Sequence, residues 1–199
     1  MQKMLVIGGT GAIGRLVIAE MGQGYDVVTA ARSGGDHRVD IADLASIRSL
    51  LTAVGKIDVL ISAAGGVAFE RIDRMRDADI ERSLAAKLLG QVNLVRQAVA
   101  HMSDEGSIVL TSGCTNVQAV QRGAISGLIN GGLAGFVTCA ASDMPRGIRI
   151  NAVSPGYLRE TSGDGSGCPG FALVEGVDVA RAYHRCVAQR LTGQVIAVH

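Results

Sequence analysis

The sequence predicts one α/β domain, a doubly wound parallel sheet with helices on both faces. Three observations predict it. Strand-like and helix-like patterns alternate from end to end, which implies parallel strands joined by helical crossovers. Asp58 to Ser62 is a continuous apolar run, the pattern of a strand buried on both faces. Gly8, Gly9, Gly11 and Gly14 cluster between the first strand pattern and the first helix pattern.

The elements follow in order. Lys3 to Gly8 is a short apolar strand. Ala12 to Gln23 places Ile13, Val17, Ile18 and Met21 on one helical face. Tyr25 to Ala30 reads as the second strand and His37 to Asp40 as a short third. Asp43 can cap a helix running to about Ala53, because its carboxylate can accept from first-turn N–H groups. After the strand ending at Ser62, Asp77 to His101 is a long helical pattern, and Gly106 to Thr111 a strand. Arg122 to Met144 is helical despite its glycines. Gly147 to Val153 is a strand, Val177 to Arg190 a helix, and Thr192 to Val198 the closing strand. The stretch 156–176, rich in glycine, is long for a plain connection and reads as a substrate loop or lid.

Composition narrows the function. The 199 residues suit a single domain over 1–199. The net charge of +1 argues against a strongly basic nucleic-acid binder. With no Trp, three Phe and three Tyr, a base-stacking platform is hard to build. The glycines interrupt the apolar run after Lys3, so no secretory leader is expected, and no stretch has the length of a membrane span. Cys114, Cys139, Cys168 and Cys186 form no CxxC pair, so reduced thiols in a cytoplasmic protein are expected and no metal site is.

The glycine cluster carries the first chemistry. A turn of this kind lets backbone N–H groups approach a pyrophosphate, and the helix N-terminus adds partial positive charge. Gly14 allows helix and strand to pack closely. The second strand ends Ala30-Ala31-Arg32-Ser33, with no carboxylate for a ribose 2′-hydroxyl and with Arg32 free to pair with a 2′-phosphate. NADP(H) is therefore preferred, with NAD(H) as the alternative.

At these residues the chain resembles the short-chain dehydrogenase/reductase family, over nearly its whole length. Gly8, Gly11 and Gly14 resemble the family's TGxxGxxG element, with Ile7 in place of the threonine. Val39-Asp40-Ile41 is similar to the segment that contacts adenine, and Ser62-Ala63-Ala64-Gly65 to the NNAG element. The run from Arg149 to Gly156 is similar to the segment before the substrate loop, and Thr192 to Val195 to the last strand. The resemblance implies a Rossmann-type fold. It implies a cofactor held by Gly8, Gly9, Thr10, Gly11, Ala12, Ile13, Gly14, Arg32, Ser33, Asp40, Ile41, Ala63, Ala64, Gly65, Pro155 and Gly156. It also implies a small-molecule substrate and a homodimer or homotetramer built on the two long helices, where Ala134 to Val137 and Ala140 give a small-residue surface.

The family's catalytic Asn, Ser, Tyr and Lys are replaced. Alignment on Ile108 to Ser112 and on Gly135 to Val137 puts Ser126 at the Tyr position and Asn130 at the Lys position. Gly113, next to Ser112, stands at the Ser position, and Lys87 at the Asn position. No YxxxK occurs, and Lys3, Lys56 and Lys87 are the only lysines. Three readings remain open. The first is an oxidoreductase acting on a small carbonyl or alcohol through a rearranged proton relay of Lys87, Ser112, Ser126 and Asn130. The second is a catalytically impaired NADP(H)-binding sensor or scaffold. The third is a structural subunit, against which the glycine cluster, Arg32 and Asp40 argue. Lys87 entering the site is weighed against a solvated lysine beside Glu81 or Asp104. Tyr157 and Cys114 are read as packing or surface residues.

Overall fold

The computed structural model describes residues 1–161 and 173–199. Seven parallel strands form the central sheet in the order β3-β2-β1-β4-β5-β6-β9. They are β1 (Gln2–Ile7), β2 (Tyr25–Ala31), β3 (His37–Arg38), β4 (Ile57–Ser62), β5 (Met102–Thr111), β6 (Arg149–Pro155) and β9 (Val195–Val198). A small parallel pair, β7 (Tyr157–Leu158) with β8 (Leu173–Val174), brackets residues 162–172. Most of the expected 156–176 loop, with Cys168, lies outside the described residues.

Side-chain alternation along the strands builds two cores. Leu5 and Ile7 of β1 point to the layer formed by α2 (Leu44–Val54), α4 (Gly90–Ala98) and α5 (Ala124–Ala140). Met4 and Val6 point to the layer of α1 (Ala12–Met21) and α6 (Gly176–Ala188). Asp43 caps α2, accepting from the Ala45 N–H at 2.9 Å, as its position predicts. The order of strands reverses between β1 and β4, so their carboxyl ends open a crevice.

Several boundaries differ from the sequence expectation. The third strand is only His37–Arg38. Strand β5 starts four residues early, at Met102, because a register shift lets Met102 pair with Ile57. Helix α5 is shorter at both ends than Arg122 to Met144, and Arg122 has φ +61°, outside helical geometry. The long pattern from Asp77 is α3 (Asp77–Ser83), a π-helical segment Leu84–Leu89, and then α4, which ends before His101. The π turn is widened by one residue relative to an α turn, so side chains on either side of it fall out of phase. Lys87 lies inside it. No helix among the described residues is long and apolar enough to cross a membrane.

Candidate functional site

The crevice holds two cavities that share Ala63, Ala64, Gly65 and Val67 as a common wall. The first, about 550 Å³, runs over the ends of β1 and β2 and is lined by Gly8, Thr10, Gly11, Arg32, Ser33, Asp40 and Ile41, among others. The second, about 250 Å³, is lined by Ile13, Lys87, Ser112, Ser126, Asn130, Pro155 and Gly156, with Phe69, Cys114, Thr115 and Tyr157. Gly9, Ala12 and Gly14 line neither of these cavities, and Gly9 and Gly14 serve instead in close packing, against Thr29 and Gly8.

That packing explains the glycines. A Cβ on Gly8 would lie 2.6 Å from the Ala63 carbonyl oxygen, where the ends of β1 and β4 pinch together, and Gly8 has φ +79°. A Cβ on Gly14 would lie 2.2 Å from the Gly8 oxygen. Helix α1 therefore sits hard against the turn. Its N-cap, Gly11, offers no side-chain cap, and its first turn has no acidic residue. The leading N–H groups and the helix dipole are left without a side-chain partner, at a helix start whose N-cap, Gly11, lines the larger cavity. We expect Gly14→Val to abolish nucleotide binding and to lower the thermal midpoint together. A nucleotide titration that kept wild-type affinity would show that the turn tolerates the displacement.

Arg32 lies exposed at the cavity rim. Its carbonyl accepts from Arg38 Nη1 at 2.9 Å, which brings a second guanidinium beside it. Arg38 was not singled out from the sequence, because an arginine on a two-residue edge strand looks like any solvated charge. Asp40 lies on the same wall and holds its own turn, its carboxylate accepting from the Ala42 N–H at 2.9 Å.

In the smaller cavity the structure brings together all four residues singled out for chemistry. Lys87 is half-buried, and its Nζ donates to the Ser112 carbonyl at 3.0 Å. No ion pair joins Lys87 to Glu81, Asp104 or any other carboxylate among the described residues. Burial lowers its pKa to about 8, partly opposed by the Cys114 thiol nearby. Gly65 faces it with φ +114°, and a Cβ there would sit 2.9 Å from Lys87 Cγ. The missing side chain is what admits the lysine stem.

Asn130 Nδ2 donates to Thr115 Oγ1 at 2.7 Å and to Ser126 Oγ at 3.2 Å, and the two hydroxyls lie 2.9 Å apart. One hydroxyl donates to the other. The triangle therefore engages both amide hydrogens and one hydroxyl hydrogen, leaving one hydroxyl hydrogen over. Asn130 Oδ1 is buried without a partner among the described residues. A Cβ on Gly113 would lie 2.8 Å from Asn130 Nδ2, so Asn130 needs a glycine opposite. Ser112 Oγ donates to the Asn130 carbonyl at 3.0 Å, which commits its hydrogen to tying β5 to α5. Thr115 is the member sequence reasoning missed, since a threonine in a loop after a strand gives no periodic signal.

The ground beneath this cavity is buried and polar. Gln91, with no exposed surface, donates to the Thr111 carbonyl at 3.0 Å and accepts from the Thr111 N–H at 3.1 Å. Thr111 Oγ1 gives its one hydrogen to the Ser62 carbonyl at 2.5 Å, so Tyr183, 2.6 Å away, donates to it. Burial holds the Tyr183 phenol well above its usual range.

Comparison with known proteins places this architecture. A family model described as enoyl-(acyl carrier protein) reductase matches residues 17–197. The protein lin1944 from Listeria innocua is 35% identical over the full length of both chains, with a TM-score of 0.97. A small-chain dehydrogenase solved in complex with NADPH is 25% identical, covering 99% of this chain and 96% of its own, with a TM-score of 0.87. The 3-oxoacyl-[acyl-carrier-protein] reductase of Mus musculus is 30% identical over 77% of this chain and 74% of its own. A versicolorin reductase of Emericella nidulans is 29% identical over 67% of this chain, and the chain spans about half the length of the versicolorin reductases it matches. With the reversed strand order, the glycine turn and a match over nearly all its length, the chain belongs to the short-chain dehydrogenase/reductase family.

Proposed function

We propose that the protein is an NADP(H)-dependent oxidoreductase that moves a hydride to or from a small carbonyl or alcohol, with Lys87 in place of the family's Tyr–Lys pair. One observation carries this reading. The Lys87 amine, unpaired with any carboxylate among the described residues, lines a small cavity that shares a wall with the larger groove. The groove fits a dinucleotide. Its floor is a turn that a single Cβ would fill, and its helix N-terminus is uncapped.

The bound nicotinamide would supply or accept the hydride. In reduction, Lys87 as the ammonium stabilises the developing alkoxide and gives it a proton. A pKa near 8 keeps the amine able to return to the charged form near neutrality. The Ser112 carbonyl holds the amine in place. The spare hydroxyl hydrogen of the Thr115–Ser126 pair orients the substrate oxygen. The remaining cofactor assignments, from Gly8 to Gly14 with Ser33, Ile41, Ala63 to Gly65, Pro155 and Gly156, belong to the same proposal. A second reading, NADP(H) binding without turnover, is favoured by the closed Ser126–Thr115–Asn130 triangle, whose hydroxyls are weak acids. Fluorescence titration with NADPH and NADH, followed by a carbonyl panel, separates the two. Binding with oxidation supports the enzyme, binding without oxidation across the panel supports the sensor, and no binding removes both.

Arg32 is the basis of the NADP(H) preference. Arg32→Ala should weaken NADPH binding by roughly 10- to 150-fold, the worth of a charge-assisted contact of about 1.5–3 kcal/mol, and leave NADH nearly unchanged. Equal losses for both nucleotides would assign Arg32 to the fold instead.

We also propose a homodimer or homotetramer, in a reducing cytoplasmic setting suited to the thiols of Cys114, Cys139 and Cys186. Leu89, the last residue of the π-helical segment, and Leu128 of α5 are 53% and 60% exposed. A Cβ on Gly131 or Gly135 would touch nothing within 4 Å, so packing among the described residues does not require these mid-helix glycines. Each costs about 1 kcal/mol of helix stability relative to Ala, a cost that close approach by a second copy would offset. Sedimentation should give a multiple of the monomer mass, and Gly131→Leu with Gly135→Leu should return the monomer.

A further inference from the structure

We propose that Lys87 captures small aldehydes covalently as an imine, an activity that needs no nucleotide. It concerns the same cavity as the hydride-transfer reading but does not depend on it.

The geometry sets Lys87 apart from the other two lysines. Lys3 Nζ is held by the Val54 carbonyl on the opposite side of the sheet end, and Lys56 is exposed. Lys87 lines a cavity. It has no carboxylate partner among the described residues, so no counterion fixes it in the charged form. Burial already disfavours that form, and roughly two hundredfold more neutral amine is present at pH 7 than for an ordinary lysine. Ile13, Val67 and Phe69 supply apolar wall for an alkyl chain. The Thr115–Ser126 pair supplies a hydroxyl hydrogen in the same cavity.

The step balances. The Nζ lone pair attacks the carbonyl carbon, and the carbonyl oxygen takes a proton to give a carbinolamine. The hydroxyl then leaves as water with a second proton, the nitrogen gives up its remaining hydrogen, and a C=N bond forms. One aldehyde and one amine give one imine and one water. The Cys114 thiol lines the same cavity, but its hemithioacetal is reversible and hydride reagents do not trap it.

The test uses the intact protein with butanal and cyanoborohydride at pH 7, followed by peptide mapping. Reduction of the imine adds the aldehyde's mass less one oxygen atom. Lys87 should be alkylated at least about tenfold faster than Lys56, because its cavity holds the alkyl chain beside an amine whose charged form burial disfavours. Lys87→Met should remove that adduct while Lys56 labels at its former rate, with a thermal melt confirming that the variant is folded. Labelling of Lys56 as fast as Lys87 overturns the proposal. A parallel incubation with NADPH replacing cyanoborohydride reads the hydride proposal separately. The same adduct there supports hydride delivery into this cavity. Absence of both the adduct and any NADPH oxidation, with the cyanoborohydride adduct present, counts against delivery and leaves capture established.

Discussion

Gln91→Leu should lower the thermal midpoint by roughly 6–12 °C, the equivalent of about 3 kcal/mol in a domain of this size. The reason is local. The Gln91 amide pairs with both backbone groups of Thr111, at 3.0 and 3.1 Å, in a position without exposure to water. Leucine fills the same space and satisfies neither. Each buried group left unpaired costs about 1–3 kcal/mol. Gln91→Glu should be as damaging, because a carboxylate cannot donate to the Thr111 carbonyl and would be buried. Gln23→Leu, on an exposed residue, should change the midpoint little. Equal melting of the Gln91 variants and wild type would show that the clamp is dispensable.

The consequence reaches beyond stability. Thr111 is the last residue of β5 and immediately precedes Ser112, whose carbonyl holds Lys87. Its own hydroxyl joins β4 to α6 through the Ser62 carbonyl and Tyr183. Gln91 and Lys87 thus bind adjacent carbonyls at the end of one strand, from a helix that carries a π-helical segment. Loosening Gln91 should therefore also disturb the Lys87 amine.

The nucleotide end of the molecule can be read from the sequence because steric demands there choose the residue type. Gly8 and Gly14 face backbone atoms at distances that admit no Cβ, and only glycine satisfies that. The alternation of strand and helix is equally plain, since burial on both faces of a parallel sheet imposes it. The cavity around Lys87 is harder to read. A lysine in a long amphipathic pattern suits solvent as well as a pocket, and only the π turn with Gly65 decides its direction. No composition marks a π turn. Gln91 and Thr115 were silent for a related reason: their roles come from partners 20 and 15 residues away in sequence.

Lys87 gives the largest functional expectation and a stability signature that does not depend on any substrate. Its folded pKa of about 8 lies below the ordinary lysine value, so the unfolded chain binds more protons between those limits. Stability must rise as pH increases through that window, from about 8 towards about 10.4, because folding no longer has to bury the charge. Below pH 8 the penalty is fully present, at most about 3 kcal/mol for a shift of this size. Lys87→Met should remove it, so the variant should be the more stable protein at pH 7 and lose its advantage by pH 10. Denaturant melts across that range measure this directly, and parallel pH curves for the two proteins would mean that the amine is solvated. Turnover should move in the other direction. With the ammonium as proton donor, reduction should decline above pH 8, and Lys87→Met should lose about 10²- to 10⁴-fold in kcat/KM while retaining NADPH affinity. A variant that is more stable and yet inactive is the pattern expected of a charge kept in an unfavourable place for its chemistry. A variant less stable at pH 7 would instead make Lys87 a structural tether of Ser112.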